Sequence, residues 1–245
     1  MSAPVDILAF GAHPDDIEIG CGGSLVLATD AGLTVAVADM SMGEMATRGT
    51  AEQRQRERDR AAELLGLRMR MTMSLPDTRI GSEPAHRDAV IGLIREFRPK
   101  IVLAPFFEDR HPDHAAAGRL VRESMFFAGV AKVGAGAPHR PQRLYHYTLH
   151  HPFEPSFVVD VSSVWERRMA AVRAYESQFG AADEARTEIG NSEFLNLLEA
   201  RARFYGAMTG VRFGEPFYCR GPVAARALPG QGDDGGGAWR YRMFL

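Results

Sequence analysis

His13, Asp15 and Asp16 stand within one short run, Ala12-His13-Pro14-Asp15-Asp16, and His111, Asp113 and His114 repeat the mixture in His111-Pro112-Asp113-His114. On a tight turn or a first helical turn, His13 and Asp16 can point an imidazole and a carboxylate at one ion. His114 supplies a third ligand. Three N/O ligands leave a fourth position for water, the pattern of a catalytic rather than a structural zinc ion. Asp15 and Asp16 would repel each other on one turn, but a dication stabilises the ionised pair and allows them different roles, Asp16 as ligand and Asp15 as base. The ion lowers the pKa of its water toward about 7, so that Asp15 can take a proton during attack on a carbonyl carbon. His111, opposite the metal, can in its charged form stabilise the developing oxyanion. Asp113 is expected to orient a neighbour or to stand at a helix start. His-Pro-Asp also suits plain helix entry, with Pro at the first position and Asp at the positive end of the dipole. That explanation requires no histidine, and it is strained when both motifs directly follow a buried strand.

For the motifs to share a site, two strands must bring them to one edge. Val5–Gly11, Thr34–Met40 and Lys100–Phe106 are near-continuous apolar runs, which suit parallel strands buried on both faces. Helices are predicted between them: Ser24–Asp30 closed by Gly32, Ala51–Leu65 closed by Gly66, and Arg87–Phe97 closed before Pro99. Arg68–Ser74 reads as a further strand, and the breaker-rich loop LPDTRIGSEP after it is placed to border a site. After His114 a helix runs to about Phe127. Leu144–His150 and Ser156–Val161 read as strands, Val164–Phe179 and Glu193–Met208 as amphipathic helices. The expected fold is α/β, a Rossmann-like, mostly parallel sheet flanked by helices in a single domain over residues 1–245. The first motif ends the first strand and the second follows KIVLAPF, so both fall at the carboxyl ends where such sheets bind ligands.

A length of 245 residues with 45% hydrophobic residues can bury a substantial sheet in one domain. A formal net charge of −2 gives no basic face for a phosphate backbone or an anionic membrane, so no nucleic acid or membrane partner is expected. The start MSAPVDILAFGAHPDD has no basic region before an apolar run that His13, Asp15 and Asp16 interrupt, so it reads as neither signal peptide nor membrane span, and a cytoplasmic location is expected. Cys21 and Cys219 read as small packed side chains rather than a disulfide. The sequence is compatible with a homo-oligomer and sets no oligomeric state.

The segments AHPDD and HPDH resemble the zinc-dependent sugar N-deacetylases that include the phosphatidylinositol-glycan and mycothiol-pathway enzymes. GEMATRGTAEQRQRE, LPDTRI, FFEDRHPDH, FVVDVSS and AYESQF are similar to the bacillithiol-biosynthesis branch of that family, over about residues 5–215. The resemblance implies zinc on His13, Asp16 and His114, Asp15 as general base, His111 beside the oxyanion and Arg54 on the substrate. It further implies an N-acetyl sugar as small-molecule partner, N-acetylglucosaminyl malate in that branch. Arg48, Arg54 and Arg110 offer the bidentate donors a dicarboxylate requires, although Arg48 and Arg110 also read as solvated or helix-capping charges. His146 and His150 would share one strand face; they and His151 read more readily as solvent-facing or core-edge histidines than as substrate contacts. Tyr145 and Tyr147 read as packing. Residues 229–237 read as a Gly-rich surface loop.

Three alternatives remain at this stage. Another N-acyl sugar or small N-acetylated compound fits the same metal site, which fixes the reaction and not the leaving amine. A non-catalytic metal or sugar-binding module would have no use for Asp15. A nucleotide-binding oxidoreductase would use Asp39 after the second strand, but the G-x-G-x-x-G turn is missing and two carboxylates at the strand end would repel a pyrophosphate.

Overall fold

The structure is a computed structural model and describes residues 3–180 and 192–223. The apolar runs become strands β1 (Ile7–Gly11), β2 (Val35–Asp39), β4 (Ile101–Pro105) and, with a more polar β3 (Met69–Thr72) and β5 (Arg143–Tyr147), form a parallel array. Two further strands, β6 (Phe157–Asp160) and β7 (Gly214–Tyr218), extend the sheet, giving the order β3-β2-β1-β4-β5-β7-β6 with β7 antiparallel to both its neighbours.

Alternation along the central strands separates two cores. Ile7, Ala9, Val35 and Val37 pack on one face with α1 (Asp16–Gly20), α2 (Gly22–Asp30), α3 (Ala51–Leu65), α6 (Trp165–Arg173) and α8 (Ser192–Thr209). Leu8, Phe10, Ala36, Ala38 and Val102 pack on the other with α4 (Pro84–Phe97) and α5 (Pro112–Ala128). Both faces are covered, which is why these strands are apolar throughout rather than alternating with polar residues. The expected doubly covered, mostly parallel α/β sheet is the one observed.

β1 lies between β2 and β4, and its register runs Ile7 opposite Val35 on one side and Ile101 on the other. The chain first builds outward from β1 through β2 and β3, then crosses to its opposite side. The crevice between the ends of β1 and β4 is thus the topological switch point, where open α/β sheets hold ligands.

Two elements differ from expectation. The stretch 164–179 is not one helix: a 3₁₀ turn (Ser162–Val164) leads into α6, and after Ala174 the chain breaks at Tyr175 before the short α7 (Glu176–Phe179). Val172, Tyr175 and Phe179 all enter the same core, so the apolar period runs through a break it does not register. β7 is not among the expected strands; Gly214 and Pro216 disfavour one, and pairing with β5 and β6 holds it, with Phe217 buried. β5 also ends earlier than expected, at Tyr147, so the two-residue alternation does not reach His150. Cys21 is buried, Cys219 is half-buried, and both are free thiols. The Gly-rich 229–237 segment lies outside the described residues. None of the described helices is long and apolar enough to cross a membrane.

Candidate active site

Both motifs leave adjacent strands on the same side of the sheet. After Gly11 the chain turns through residues 12–15, with Asp15 at φ 107°, a left-handed conformation rare outside glycine, and α1 begins at Asp16. The turn is closed by Asp16 itself, whose Oδ2 accepts the backbone N–H groups of Ala12 at 2.8 Å and His13 at 3.1 Å. Its Oδ1 lies 3.2 Å from His114 Nε2.

On the β4 side, His111 caps α5. Its Nδ1 accepts the N–H of Asp113 at 3.2 Å, Pro112 follows as the first helical residue, and His114 stands within the first turn. The helix can approach the end of β4 because Gly118 has no side chain: a Cβ there would fall 2.4 Å from the carbonyl oxygen of Pro105.

His13 Nδ1 and His114 Nε2, 101 residues apart in sequence, are 3.3 Å apart. Ligands about 2.0–2.1 Å from a tetrahedral ion are separated by about 3.3 Å, so the His13–His114 and His114–Asp16 spacings are those of two edges of a coordination tetrahedron. His111 also brings a ring nitrogen within 4.8 Å of those of His13 and His114. The charge balance favours a cation at the same point. Burial works to lower the pKa of His13, but the carboxylates of Asp113, Asp77 and Asp16 raise it to about 10. Burial likewise opposes, and Asp16 and Asp109 overcome, a rise of His114 to about 9. Burial alone would raise Asp16; the imidazoles and the His13 amide hold it well below the usual carboxylate range. The third pair, His13 Nδ1 and Asp16 Oδ2, is 3.9 Å apart, so the residues present fit a bound divalent metal in charge and in two of their three spacings.

Two carboxylates that sequence reasoning did not single out hold the far nitrogens of these imidazoles. His13 Nε2 meets Asp77 Oδ1 at 3.1 Å, and Asp77 Oδ2 accepts the N–H of Met45. His114 Nδ1 meets Asp109 Oδ1 at 3.1 Å. Such partners fix the tautomer and aim of a metal-binding imidazole. The signal available was faint: Asp109 stands just before HPDH, and Asp77 lies in the LPDTRI loop already placed at the border of the site. Asp113 takes both roles expected for it, opening α5 while its Oδ2 accepts the Thr78 N–H at 2.7 Å and lies 3.5 Å from His13 Nε2.

Asp15 is 5% exposed and lines the same cavity of about 280 Å³ as His13, Asp16, His111 and His114. Burial pushes its carboxyl up to about 7, with the Arg54 guanidinium opposing and Asp16 adding to the rise. His111 is shifted downward by burial and by positive charge on His114 and His13. Its Nδ1 is occupied as an acceptor, so the proton of its neutral ring sits on Nε2. This corrects the expectation of a charged His111: the α5 cap requires the neutral tautomer.

The arginines also sit differently from expectation. Arg54 lines the cavity, but its guanidinium donates to the carbonyls of Gly43 at 2.9 Å and Pro14 at 3.1 Å, with Asp15 Oδ2 at 3.9 Å. Gly43, at φ 66°, leaves the space this side chain fills. Arg48 is buried rather than solvated and donates to the carbonyls of Gln178 and Gly180. Arg110 is exposed at the cavity wall. His150 reaches the cavity; His146 does not, being packed against Phe106, Phe107 and Tyr218 with Nδ1 at 2.8 Å from the carbonyl of Pro105. Tyr147 packs as expected, donating to the Phe10 carbonyl.

Residues 8–125, which contain both motifs, match the PIG-L family, described as GlcNAc-PI de-N-acetylase. A diacetylchitobiose deacetylase of Thermococcus kodakarensis is 35% identical over 225 residues, 85% of this chain and 80% of the relative. The chain belongs to the PIG-L family. As a PIG-L protein it is an N-deacetylase, a hydrolase of amide bonds. A conserved protein of Thermus thermophilus shares the PIG-L fold at 37% identity and a TM-score of 0.84, over 91% of this chain and 98% of that one. A probable N-acetyl-alpha-D-glucosaminyl L-malate deacetylase 2 of Bacillus cereus is 26% identical over 211 residues, 78% of this chain and 92% of the relative. The oxidoreductase alternative falls with this assignment, and Asp39 has another use: it is buried and paired with Arg70, which also binds Glu18.

Proposed function

We propose that this protein is a zinc-dependent hydrolase that removes the acetyl group from a 2-acetamido sugar of the N-acetylglucosaminyl type. The observation that carries the reading is the convergence of His13, Asp16 and His114, two of whose three spacings match the edges of a coordination tetrahedron and the third of which is 3.9 Å, beside a buried carboxylate, Asp15, in one cavity. His13, Asp16 and His114 hold the ion. Bound there, zinc supplies Lewis acidity toward the acetamide carbonyl and makes a water more acidic. Asp15 accepts a proton from the attacking water as its oxygen bonds to the carbonyl carbon. When the C–N bond breaks, Asp15 returns that proton to the nitrogen, and acetate and a free amine result. The Nε2–H of His111 is the donor to the developing oxyanion. Arg54 ties Pro14 and Gly43 together beside Asp15, and so acts through the base rather than on the aglycone.

The aglycone is read from the cavity wall. With Arg48 and Arg54 turned to backbone carbonyls, and Ile19, Met45, Leu149 and Phe194 on the cavity wall, a neutral glycoside fits better than malate. The 35% relative acts, by its name, on the neutral diacetylchitobiose. N-acetylglucosaminyl malate is the second reading, favoured by Arg110 at the wall and by the Bacillus relative. Acetate release by zinc-loaded protein from N-acetylglucosamine, diacetylchitobiose and N-acetylglucosaminyl malate separates these. The malate compound should not exceed the neutral sugars in kcat/KM; an advantage of about tenfold or more, the scale of one charge-assisted hydrogen bond, would reverse the order. No acetate from any of the three would defeat the deacetylase reading.

A further inference from the structure

Asp109, on the loop between β4 and α5, has a side chain only 2% exposed, and its Oδ1 meets two imidazoles at once, His114 Nδ1 at 3.1 Å and His150 Nδ1 at 3.0 Å. Its Oδ2 accepts the backbone N–H of His150 at 3.0 Å, so both the ring and the main chain of His150 are fixed by one carboxylate. The rings of His114 and His150 are stacked, 5.2 Å between centroids and 7° from parallel. Because both turn Nδ1 to the same oxygen, both turn Nε2 away from it. For His114 that nitrogen is the one facing His13 and Asp16. His150 is half-buried at the wall of the same cavity, and because the carboxylate can only accept, the neutral ring carries its proton on Nδ1 and its lone pair on Nε2. A carboxylate that fixes the ring and tautomer of a histidine outside the His13, Asp16 and His114 set, at the wall of the substrate cavity, points to a ligand for that histidine.

We infer that His150 is a substrate-contacting residue whose Nε2 accepts a hydrogen bond from a ring hydroxyl of the N-acetylated sugar. The inference rests on the sugar-deacetylase reading. It sets a selectivity the metal site lacks, since the ion and Asp15 meet the same acetamide on any N-acetylated compound. A site that accepts a specific hydroxyl discriminates against an analogue without it, because the buried acceptor is then left unpaired.

The test is a cycle of variant against substrate. His150→Asn keeps an N–H at the level of Nδ1 for Asp109 and removes the nitrogen beyond it, so zinc content should equal that of the parent. Acetate release is measured from N-acetylglucosamine and its 3-, 4- and 6-deoxy analogues. On N-acetylglucosamine the variant should lose about tenfold in kcat/KM, and on one deoxy analogue it should equal the parent, the hydroxyl and its acceptor having been removed together. His150→Gln, which returns an acceptor near the Nε2 position, should recover part of the loss on N-acetylglucosamine and none on that analogue. Equal losses on all four sugars, or no loss on any, would overturn the assignment. A parent inactive on every N-acetyl sugar overturns the deacetylase reading itself, a result separable from the first because it needs no variant.

Discussion

Asp15 carries the sharpest contradiction between a residue and its place: a non-glycine at φ 107°, buried, with its carboxyl pushed up to about 7 by that burial. A conformation of this kind costs about 1–3 kcal/mol and persists where the surroundings determine it, here through Asp16 closing the turn and Arg54 binding Pro14. The proton-transfer role proposed for Asp15 accounts for a strained residue at this point. Asp15→Asn, with similar shape, should retain zinc by metal analysis and lose about 100-fold or more in kcat. Loss of zinc would make Asp15 a ligand or scaffold residue instead. Asp109 acts one step farther out, and Asp109→Asn should weaken zinc affinity by about 10–100-fold in a competition titration with a chelator, with the fold intact by circular dichroism. The histidines and aspartates of the two motifs could be read from the sequence because type and position, directly after apolar strands, agreed. Asp77 and Asp109 could not: an aspartate in a loop is ordinary, and only the folded distances to His13 and His114 distinguish these two. Arg54 lines the cavity, but where its guanidinium points depends on the carbonyls of Gly43 and Pro14, which no spacing reveals.

At the level of elements, the site depends on how closely α5 approaches the end of β4. Gly118→Ala puts a methyl group against the Pro105 carbonyl, backbone that cannot rotate away, so α5 must shift. Overpacking of this sort costs typically about 1–3 kcal/mol. Because His111 and His114 ride the first turn of the same helix, Gly118→Ala should lower both the melting temperature and zinc affinity; a melting temperature that falls with zinc affinity unchanged would show that α5 yields elsewhere. The central strands and α2 to α5 are legible because apolar runs and helix-closing breakers mark them independently; Gly66 closing α3 is an example. The break at Tyr175 and the existence of β7 were not, since each is decided by tertiary contact: a ring entering a common core in one case, two neighbouring strands overriding Gly214 and Pro216 in the other.

For the molecule as a whole, stability should depend on pH through a histidine outside the proposed metal site. His146 is 3% exposed among aromatic rings, and burial first, then the charges of Arg122 and Arg220, lower its pKa from 6.5 to about 4. Between those values the unfolded chain binds a proton that the native one refuses. The contribution is therefore fully present above about pH 6.5 and lost as pH falls toward 4, up to about 3 kcal/mol in all. His146→Asn can still donate to Pro105 but does not titrate, so urea unfolding should show the parent losing stability relative to it as the pH is lowered across that window. A constant difference would mean that His146 does not titrate as its burial requires. The pairing of β1 with β4 has a further consequence, in time rather than in space. The proposed metal ligands come from positions 101 residues apart and do not exist as a set until those two strands are joined, a long loop closure that a folding chain achieves late. Zinc should accordingly slow unfolding in stopped-flow experiments and leave the refolding rate nearly unchanged, the behaviour of a clasp fastened after the garment is on.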